Sequence, residues 1–405
     1  MSETQTLIRD DIDAPRLDID PFSDDFLNMP YPYHEQMREA GPVVWLEPYQ
    51  LWGVARHEPV KAGLNDWESF ISSAGVGLAN FRTEKPFRPP SLILEADPPL
   101  HTRSRTVLSR ILSPKMMQTV KAEFEVQANK LVDRLVEQGE IDAIKDLAKV
   151  FPLRVFPDAL GLAEEGRETL LLYGDMVFNA FGPRNHVFLD SVKRYEPVRE
   201  WIMDHCQRSE LRPGGFGDLV YQAADAGEIP PEDAPLLVRS FLSAGVDTTV
   251  NGIGNAMYCL AMFPDQYAKL VAAPALARQT FEESLRLESA VQTFFRTVNK
   301  PLEFYDVPMR ENDKVIFFLA AANRDGRQWP NPDVFDIERK PVGHMAFGSG
   351  IHGCVGQTVA RLEGELILSA LAKRVKRIEI MGEPVRRLNN TLRALESLPI
   401  RLIPH

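Results

Sequence analysis

The hydrophobic pattern of this chain changes period several times, and each change marks an element. Tyr31 to Glu39 reads as a short helix. Two apolar runs follow, Val43-Val44-Trp45-Leu46 and Leu51-Trp52-Gly53-Val54, joined through Glu47-Pro48-Tyr49-Gln50. They read as a hairpin. Runs near Phe295 to Val298 and Val315 to Leu319 are expected to join its sheet. A helix begins near Pro99, and from 117 to 230 the pattern is helical, with breaks expected at Pro152, Pro157, Pro183 and Pro213. Asp233 to Phe263 predicts one long helix of roughly thirty residues, ~45 Å, with Pro235 near its start and Pro264 closing it. Cys354 to Val375 supplies another helix, and Leu388 to Leu402 reads as a C-terminal hairpin. The sum is a mainly α chain with small β-sheets, an α+β class.

Composition narrows this picture. The 405 residues are 44% hydrophobic and 25% charged, an ordinary globular balance. Length alone suggests two or three domains, yet no Gly/Ser linker or charge block divides the chain. The candidate cofactor residues also run from 101 to 354. The expectation is a flexible segment over 1–20 and a single domain over 21–405. Net charge is −11, from 46 basic and 57 acidic residues, which argues against nucleic acid as a partner. The N-terminus has no apolar signal core and no run of 18 uncharged apolar residues occurs, so a cytoplasmic protein without a membrane span is expected. Three cysteines, Cys206, Cys259 and Cys354, make no disulfide framework and are one too few for an all-cysteine iron–sulfur cluster. No phosphate-binding glycine fingerprint precedes a predicted helix. A redox role would therefore take its electrons from another chain.

The chemistry concentrates in Phe347-Gly348-Ser349-Gly350-Ile351-His352-Gly353-Cys354-Val355-Gly356, a glycine-rich loop that presents one cysteine at a helix start. Backbone N–H groups there favour thiolate over thiol. The glycines allow φ > 0 and close approach to a large planar ligand. Alone, such a cysteine is more often a packed core thiol. In the long helix, Ser243-Ala244-Gly245-Val246-Asp247-Thr248-Thr249 places an acid and a hydroxyl among apolar residues, costly unless used or paired. Gly245 weakens the helix, and the Thr248 hydroxyl can bond back one turn. Glu283 and Arg286 share a helix face and can pair. His101 and Arg105 are likewise four apart on one face. Phe178 and Phe181 share a face as well, and by pattern alone are core residues. The proline-rich loop Phe81 to Pro99 carries Arg88 beside Phe87. That arginine suits an anionic aromatic ligand, or pairs with a nearby acid.

These residues resemble the cytochrome P450 haem-thiolate monooxygenases. Phe347, Gly350, His352, Cys354 and Gly356 fill the family's cysteine signature, and Ala244, Gly245, Asp247 and Thr248 fill its oxygen-helix motif. The resemblance implies the cytochrome P450 fold, with haem b between the long central helix and the cysteine-loop helix. It implies Cys354 as the iron ligand and Phe347 and Gly356 as part of the cysteine loop. His101, Arg105, Arg296 and His352 are then the propionate partners. Asp247 and Thr248 become the catalytic pair, with Thr248 holding a water and Asp247 relaying protons from solvent. Glu283, Arg286 and Arg339 become the structural network behind the loop. Dioxygen, a [2Fe-2S] ferredoxin and a separate NAD(P)H-dependent reductase are the implied partners of a monomer, with Arg103, Arg110 and Lys115 as a docking patch or simply solvated charges.

A narrower resemblance joins the runs Arg88 to Pro99, Phe178 to Pro183, Arg239 to Asn255 and Val291 to Thr297. They are similar to bacterial para-substituted benzoate monooxygenases, which hydroxylate or O-demethylate 4-methoxybenzoate and its relatives. Carried over, Arg88, Ser91 and Ser240 bind the carboxylate, with Arg239 helping from the rim and Ser243 one turn further along. Phe178, Phe181, Val291 and Phe294 grip the ring, and Ala244 leaves room for it. Residues 184–212 match nothing in that pattern. The alternatives are a P450 acting on a terpene or fatty acid, and a haem protein that binds a ligand without turnover.

Overall fold

A computed structural model describes residues 12–405. The predicted hairpin forms as Val44–Leu46 and Leu51–Val54, with a 3₁₀ turn at Glu47–Tyr49 between them. It belongs to a six-stranded sheet ordered Arg16–Leu17, Val44–Leu46, Leu51–Val54, Lys314–Phe318, Thr293–Val298, Phe70–Ile71. The later strands join it as expected: Trp52 lies opposite Val315 in parallel, and Arg296 opposite Val315 in antiparallel. That register places Arg296 on a central strand, where its side chain is held by a rigid frame. The loose segment expected over 1–20 is corrected in part. Arg16 and Leu17 pair with Trp45 and Leu46, and Ile19 is buried, while residues 1–11 lie outside the described residues. The cause is local: an open sheet edge accepts a strand wherever backbone is available.

Helices make the other layer. Pro114–Gln138 starts on Ser113, whose hydroxyl accepts the Met116 N–H, and ends at Gly139 with φ +75°. Proline at the first position and glycine past the last are the residues these ends favour. Its buried stripe, Phe124, Ala128, Leu131 and Leu135, packs against Gln357–Arg374, which also packs on Ala277–Leu287. One large apolar core runs through these helices, and two smaller clusters flank the sheet.

Three expectations change. Pro152 and Pro157 do not break a helix: both lie in Val150–Leu160. Pro152 is in the first turn, where its missing N–H has no partner to lose. Pro183 and Pro213 do fall between helices. The long central helix is two segments, Asp233–Ala244 and Asp247–Met262, parted at Gly245-Val246. The C-terminal hairpin is shifted: Val385–Arg387 pairs with Ala394–Ser397, while Pro399–Pro404 pairs with Val375–Ile380 and Glu140–Asp142. Residues 184–212 fold into helices His186–Tyr195 and Arg199–Asp204 with short 3₁₀ turns. Among the described residues no helix is long and apolar enough to cross a membrane.

Candidate active site

A cavity of about 220 Å³ lies between the two central helix segments and the cysteine loop. Cys354 forms part of one wall, and Thr248 and Ala244 part of another. The loop that presents Cys354 is closed by its own backbone: Cys354 N–H donates to Phe347 O at 2.8 Å, and Gly353 N–H to Gly350 O at 3.1 Å. Gly350 has φ +70°, and a Cβ there would lie 2.6 Å from Leu64 O, so only glycine fits. Of the three cysteines, Cys206 and Cys259 are buried in the core, where burial pushes the Cys206 thiol up to about 12 and Cys259 well above its usual value. Cys354 is half-buried and opens onto the cavity. Burial raises its thiol too, but the N–H groups of Gly356 and Gln357 and the Arg105 and Arg361 guanidiniums oppose that rise. Those are the features that separate a ligand thiol from a packing thiol.

The wall around Cys354 is short of anions. Arg296 is buried, donates to its neighbour's carbonyl Phe295 O at 2.7 Å, and forms no ion pair with any described residue. Burial lowers it to about 10, opposed by the Asp97 charge. Arg105 donates to Gly353 O at 2.5 Å. His101 and His352 stack with centroids 4.3 Å apart, and both His352 nitrogens and His101 Nε2 are buried without a hydrogen-bond partner. His352 Nε2 stands 3.7 Å from Asp97 Oδ1, too long for a hydrogen bond. Burial lowers both imidazoles, His101 to about 4. Two guanidiniums and two orphaned imidazoles around one thiol fit a flat ligand that carries carboxylates at its edge, as haem does. Buried donors of this kind are otherwise rare.

The oxygen-side motif is bent open. A Cβ at Gly245 would lie 2.3 Å from the Phe156 ring and 2.6 Å from Phe241 O, so the turn depends on glycine. The Thr248 hydroxyl donates to Ala244 O at 2.9 Å. Asp247 points away from the cavity and is buried; burial raises its carboxyl, against the pull of Arg387 and with the repulsion of Asp175. Arg387 Nη2 donates to Asp247 Oδ1 at 3.3 Å, while Asp247 Oδ2 has no partner. From there charged groups run outward: Arg387 Nη1 lies 3.3 Å from Asp175 Oδ1, and Arg194 Nη2 donates to Asp175 Oδ2 at 2.8 Å. Arg194 is half-exposed. Sequence reasoning missed this chain. Asp175 carried a signal, an acid inside Leu170 to Val177, whereas Arg387 sits in a charged edge strand that gives none.

All ten sequence-predicted ligand residues line the cavity: Arg88, Ser91, Phe178, Phe181, Arg239, Ser240, Ser243, Ala244, Val291 and Phe294. Arg105, Arg296, Phe347, His352 and Gly356 line it as well, while His101 stands behind His352. Arg88 takes the second of the two readings open for it, and Arg239 differs from expectation. Arg88 Nη1 and Nη2 donate to Glu95 at 2.9 and 3.3 Å, so its charge already has a partner. Arg239, expected at the rim, is 6% exposed, donates to Pro89 O and Pro90 O at 2.9 and 3.2 Å, and forms no ion pair with any described residue. The Ser91 and Ser240 hydroxyls stand 3.5 Å apart beside it. The C-terminal turn braces the aromatic wall without lining the cavity: Thr391 Oγ1 donates to Phe178 O at 2.9 Å.

Behind the cysteine loop, Glu283 is fully buried and accepts from Arg286 Nε and Nη2, both at 2.8 Å, and from Arg339 Nε at 3.0 Å. The third member of the network is therefore Arg339, as the resemblance implied. The proposed docking cations are partly engaged: Arg103 pairs with Asp233 and Arg110 with Glu228.

Comparison with known proteins agrees with this geometry. The Cytochrome P450 family pattern matches residues 274–400. Cytochrome p450 CYP199A2 of Rhodopseudomonas palustris is 56% identical over 392 residues, covering 96% of this chain and 95% of the relative. Cytochrome P450 107B1 of Saccharopolyspora erythraea is 31% identical over 95% of this chain and 98% of its own. Among solved structures, CalO2 superposes with a TM-score of 0.84 at 27% identity, covering 95% of this chain and 99% of that one.

Proposed function

The chain belongs to the cytochrome P450 family of haem-thiolate monooxygenases, and on that premise we propose that it hydroxylates or oxidatively O-demethylates para-substituted benzoic acids. The observation that carries the substrate reading is Arg239. A buried guanidinium without an acid is costly, and here it lines a mostly apolar cavity that also holds Phe178, Phe181 and Phe294. A benzoate supplies the missing charge at one end and a flat apolar ring at the other. Arg239, Ser91 and Ser240 hold the carboxylate by charge-assisted bonds. Phe178, Phe181, Val291 and Phe294 hold the ring. Arg239 lies on the first central segment and Thr248 opens the second, and both line the cavity with Cys354, so a carboxylate seated at Arg239 aims the para substituent toward the Cys354 wall. Regiochemistry then follows from positioning.

Cys354 holds the haem iron, and Arg105, Arg296, His101 and His352 take its propionates. The haem, when bound, activates dioxygen for insertion of one oxygen atom into a C–H bond. The balance is substrate, O₂, two electrons and two protons giving product and water. With 4-methoxybenzoate, hydroxylation of the methyl carbon gives a hemiacetal that collapses to 4-hydroxybenzoate and formaldehyde. The Thr248 hydroxyl, anchored on Ala244 O, holds a water at the opened turn. Asp247 carries the proton on Oδ2, the oxygen without a partner, and Arg387, Asp175 and Arg194 connect it to solvent. Electrons come from a redox partner, for which we propose a [2Fe-2S] ferredoxin.

The test is an optical titration of the purified ferric protein with 4-methoxybenzoate and with 4-methoxybenzamide. The expected result is a low-spin to high-spin Soret shift with the acid and none with the amide. A shift with the amide alone, or with neither, overturns the benzoate reading and leaves the family assignment untouched.

A further inference from the structure

A second cavity of about 300 Å³ adjoins the first. Arg88 and Phe181 line both, and the Arg88 guanidinium lies 5.9 Å from the Phe181 ring centre. The partition is thus an ion pair, Arg88–Glu95, standing on an aromatic ring. The outer cavity is built from the proline-rich loop on one side and residues 180–188 on the other. Across its walls Phe87 and Phe188 meet edge-to-face at 5.2 Å, and Phe87 is 48% exposed. Lys85 and Arg184 also line it, one from each side, and neither has a hydrogen-bond or ion-pair partner among the described residues. Its two carboxylates are engaged. Glu84 accepts the Asn80 N–H at 3.0 Å, and Glu95 holds Arg88 and accepts the Ser91 N–H at 2.8 Å.

Two unmatched cations beside an aromatic clasp, with a third cation on the shared wall, recognise one chemical class. We propose that the outer cavity is a capture site for aromatic carboxylates on their way to the inner one; the proposal rests on the benzoate reading above. The incoming anion meets Lys85 and Arg184, with its ring against Phe87 and Phe188. Arg88 then exchanges Glu95 for the arriving carboxylate, which opens the partition. Because Arg88 belongs to both cavities, it stays bonded to the ligand through the passage. Glu95 keeps its bond from Ser91 N–H meanwhile, so it is never left without a donor. Arg239 is the seat at the end of the route, and the return of Arg88 to Glu95 closes the wall behind the ligand. In this arrangement charge selection begins at entry.

The experiment is stopped-flow binding to the haem-loaded ferric protein, followed by the Soret change, with 4-methoxybenzoate and with neutral 4-phenylimidazole. Charge steering scales association rates by about 10- to 1000-fold at full strength, so reversing two cations, Lys85→Glu with Arg184→Glu, is expected to slow 4-methoxybenzoate association about tenfold. The loss shrinks in 0.5 M salt by screening, roughly to twofold. Association of 4-phenylimidazole stays unchanged. The milder pair Lys85→Met with Arg184→Gln guards against a folding defect and is expected to give about a threefold loss. Equal benzoate association rates in wild type and variants overturn the capture site while the benzoate reading stands. Equal slowing of both ligands overturns it too, since that reports a narrowed channel. Absence of any benzoate signal in the wild type overturns both readings together.

Discussion

Two buried polar regions flank the cysteine loop, and they are satisfied to different degrees. Behind the loop, the Glu283 carboxylate takes three arginine N–H bonds of 2.8, 2.8 and 3.0 Å, and the Asp336 N–H besides. Around the cavity, Asp247, turned away from it, has one long bond and a bare oxygen, while on its wall Arg239 has two carbonyls and no acid, and His352 has two bare nitrogens. Both regions cost desolvation. Only the first recovers it inside the protein. A buried group whose bonding capacity is unmet is held for something that arrives, be it cofactor, substrate or proton. Unmet capacity thus separates frame from site more sharply than burial or charge does.

The largest expected effect breaks the satisfied side. Glu283→Ala takes the acid from the buried Arg286 and the part-buried Arg339 and is expected to cost about 3–5 kcal/mol, read by urea unfolding and by loss of thiolate-type CO spectra. A variant of wild-type stability would mean the frame is not what holds the loop.

Acid attacks the same region. Glu282 accepts from His344 Nε2 at 2.7 Å and pairs with Arg361, whose guanidinium lies over the Phe347 ring. Burial raises its carboxyl, but bonds from His344 and Arg361 prevail and hold it near 2, against an ordinary 4.5. A depressed carboxylate contributes stability that is complete above its unfolded value and lost as pH falls through the folded one. The loss therefore falls between roughly pH 5 and pH 2, and it amounts to about 3 kcal/mol. Glu282→Gln should flatten that limb of the unfolding profile while leaving neutral-pH spectra thiolate-like. An identical acid limb in the variant would assign the effect elsewhere.

On the unsatisfied side, Arg239→Gln is expected to weaken 4-methoxybenzoate binding by about 1.5–3 kcal/mol, the range for a hydrogen bond to a charged group. Arg88→Gln should cost equilibrium affinity less, because Glu95 already neutralises it. Optical titration of both variants sharpens the comparison; the reverse order would make Arg88 the seat. The smallest effect is kinetic. Arg387→Met leaves Asp247 without its donor and pushes its carboxyl further up, slowing turnover about tenfold, near 1.4 kcal/mol. It should also raise the hydrogen peroxide share and the solvent isotope effect. Unchanged coupling would remove Arg387 from the proton route.

The sequence was most legible where chemistry repeats at fixed spacing. The Cys354 loop, the Asp247-Thr248 pair and Glu283 with Arg286 each announce themselves within ten residues. The sheet was legible too, because its strands are short apolar runs. The break at Gly245-Val246 was half legible: glycine weakens a helix, but only the Phe156 ring against it shows that the chain parts there. That Arg88 pairs with an acid was one of two readings the sequence left open, but that Arg239 is buried without one was not legible. Which arginine meets Glu95 depends on how the proline-rich loop lies against the central helix. The Asp247–Arg387–Asp175 chain joins three distant segments, and no local pattern carries such a contact.

The C-terminal turn has one more consequence, for synthesis. Thr391 braces Phe178 and Arg387 meets Asp247, so both sides of the cavity wait for residues 387–391. Translation at about 5–20 residues per second puts Thr391 roughly 10–40 s behind Phe178. For that interval the nascent chain carries an unbraced aromatic wall and an acid without its arginine. Cysteine, brace and acid partner then emerge almost together. Assembly of the cavity consequently waits until residues 387–391 have been made, and a change that delays or displaces this turn would act on the reaction site itself.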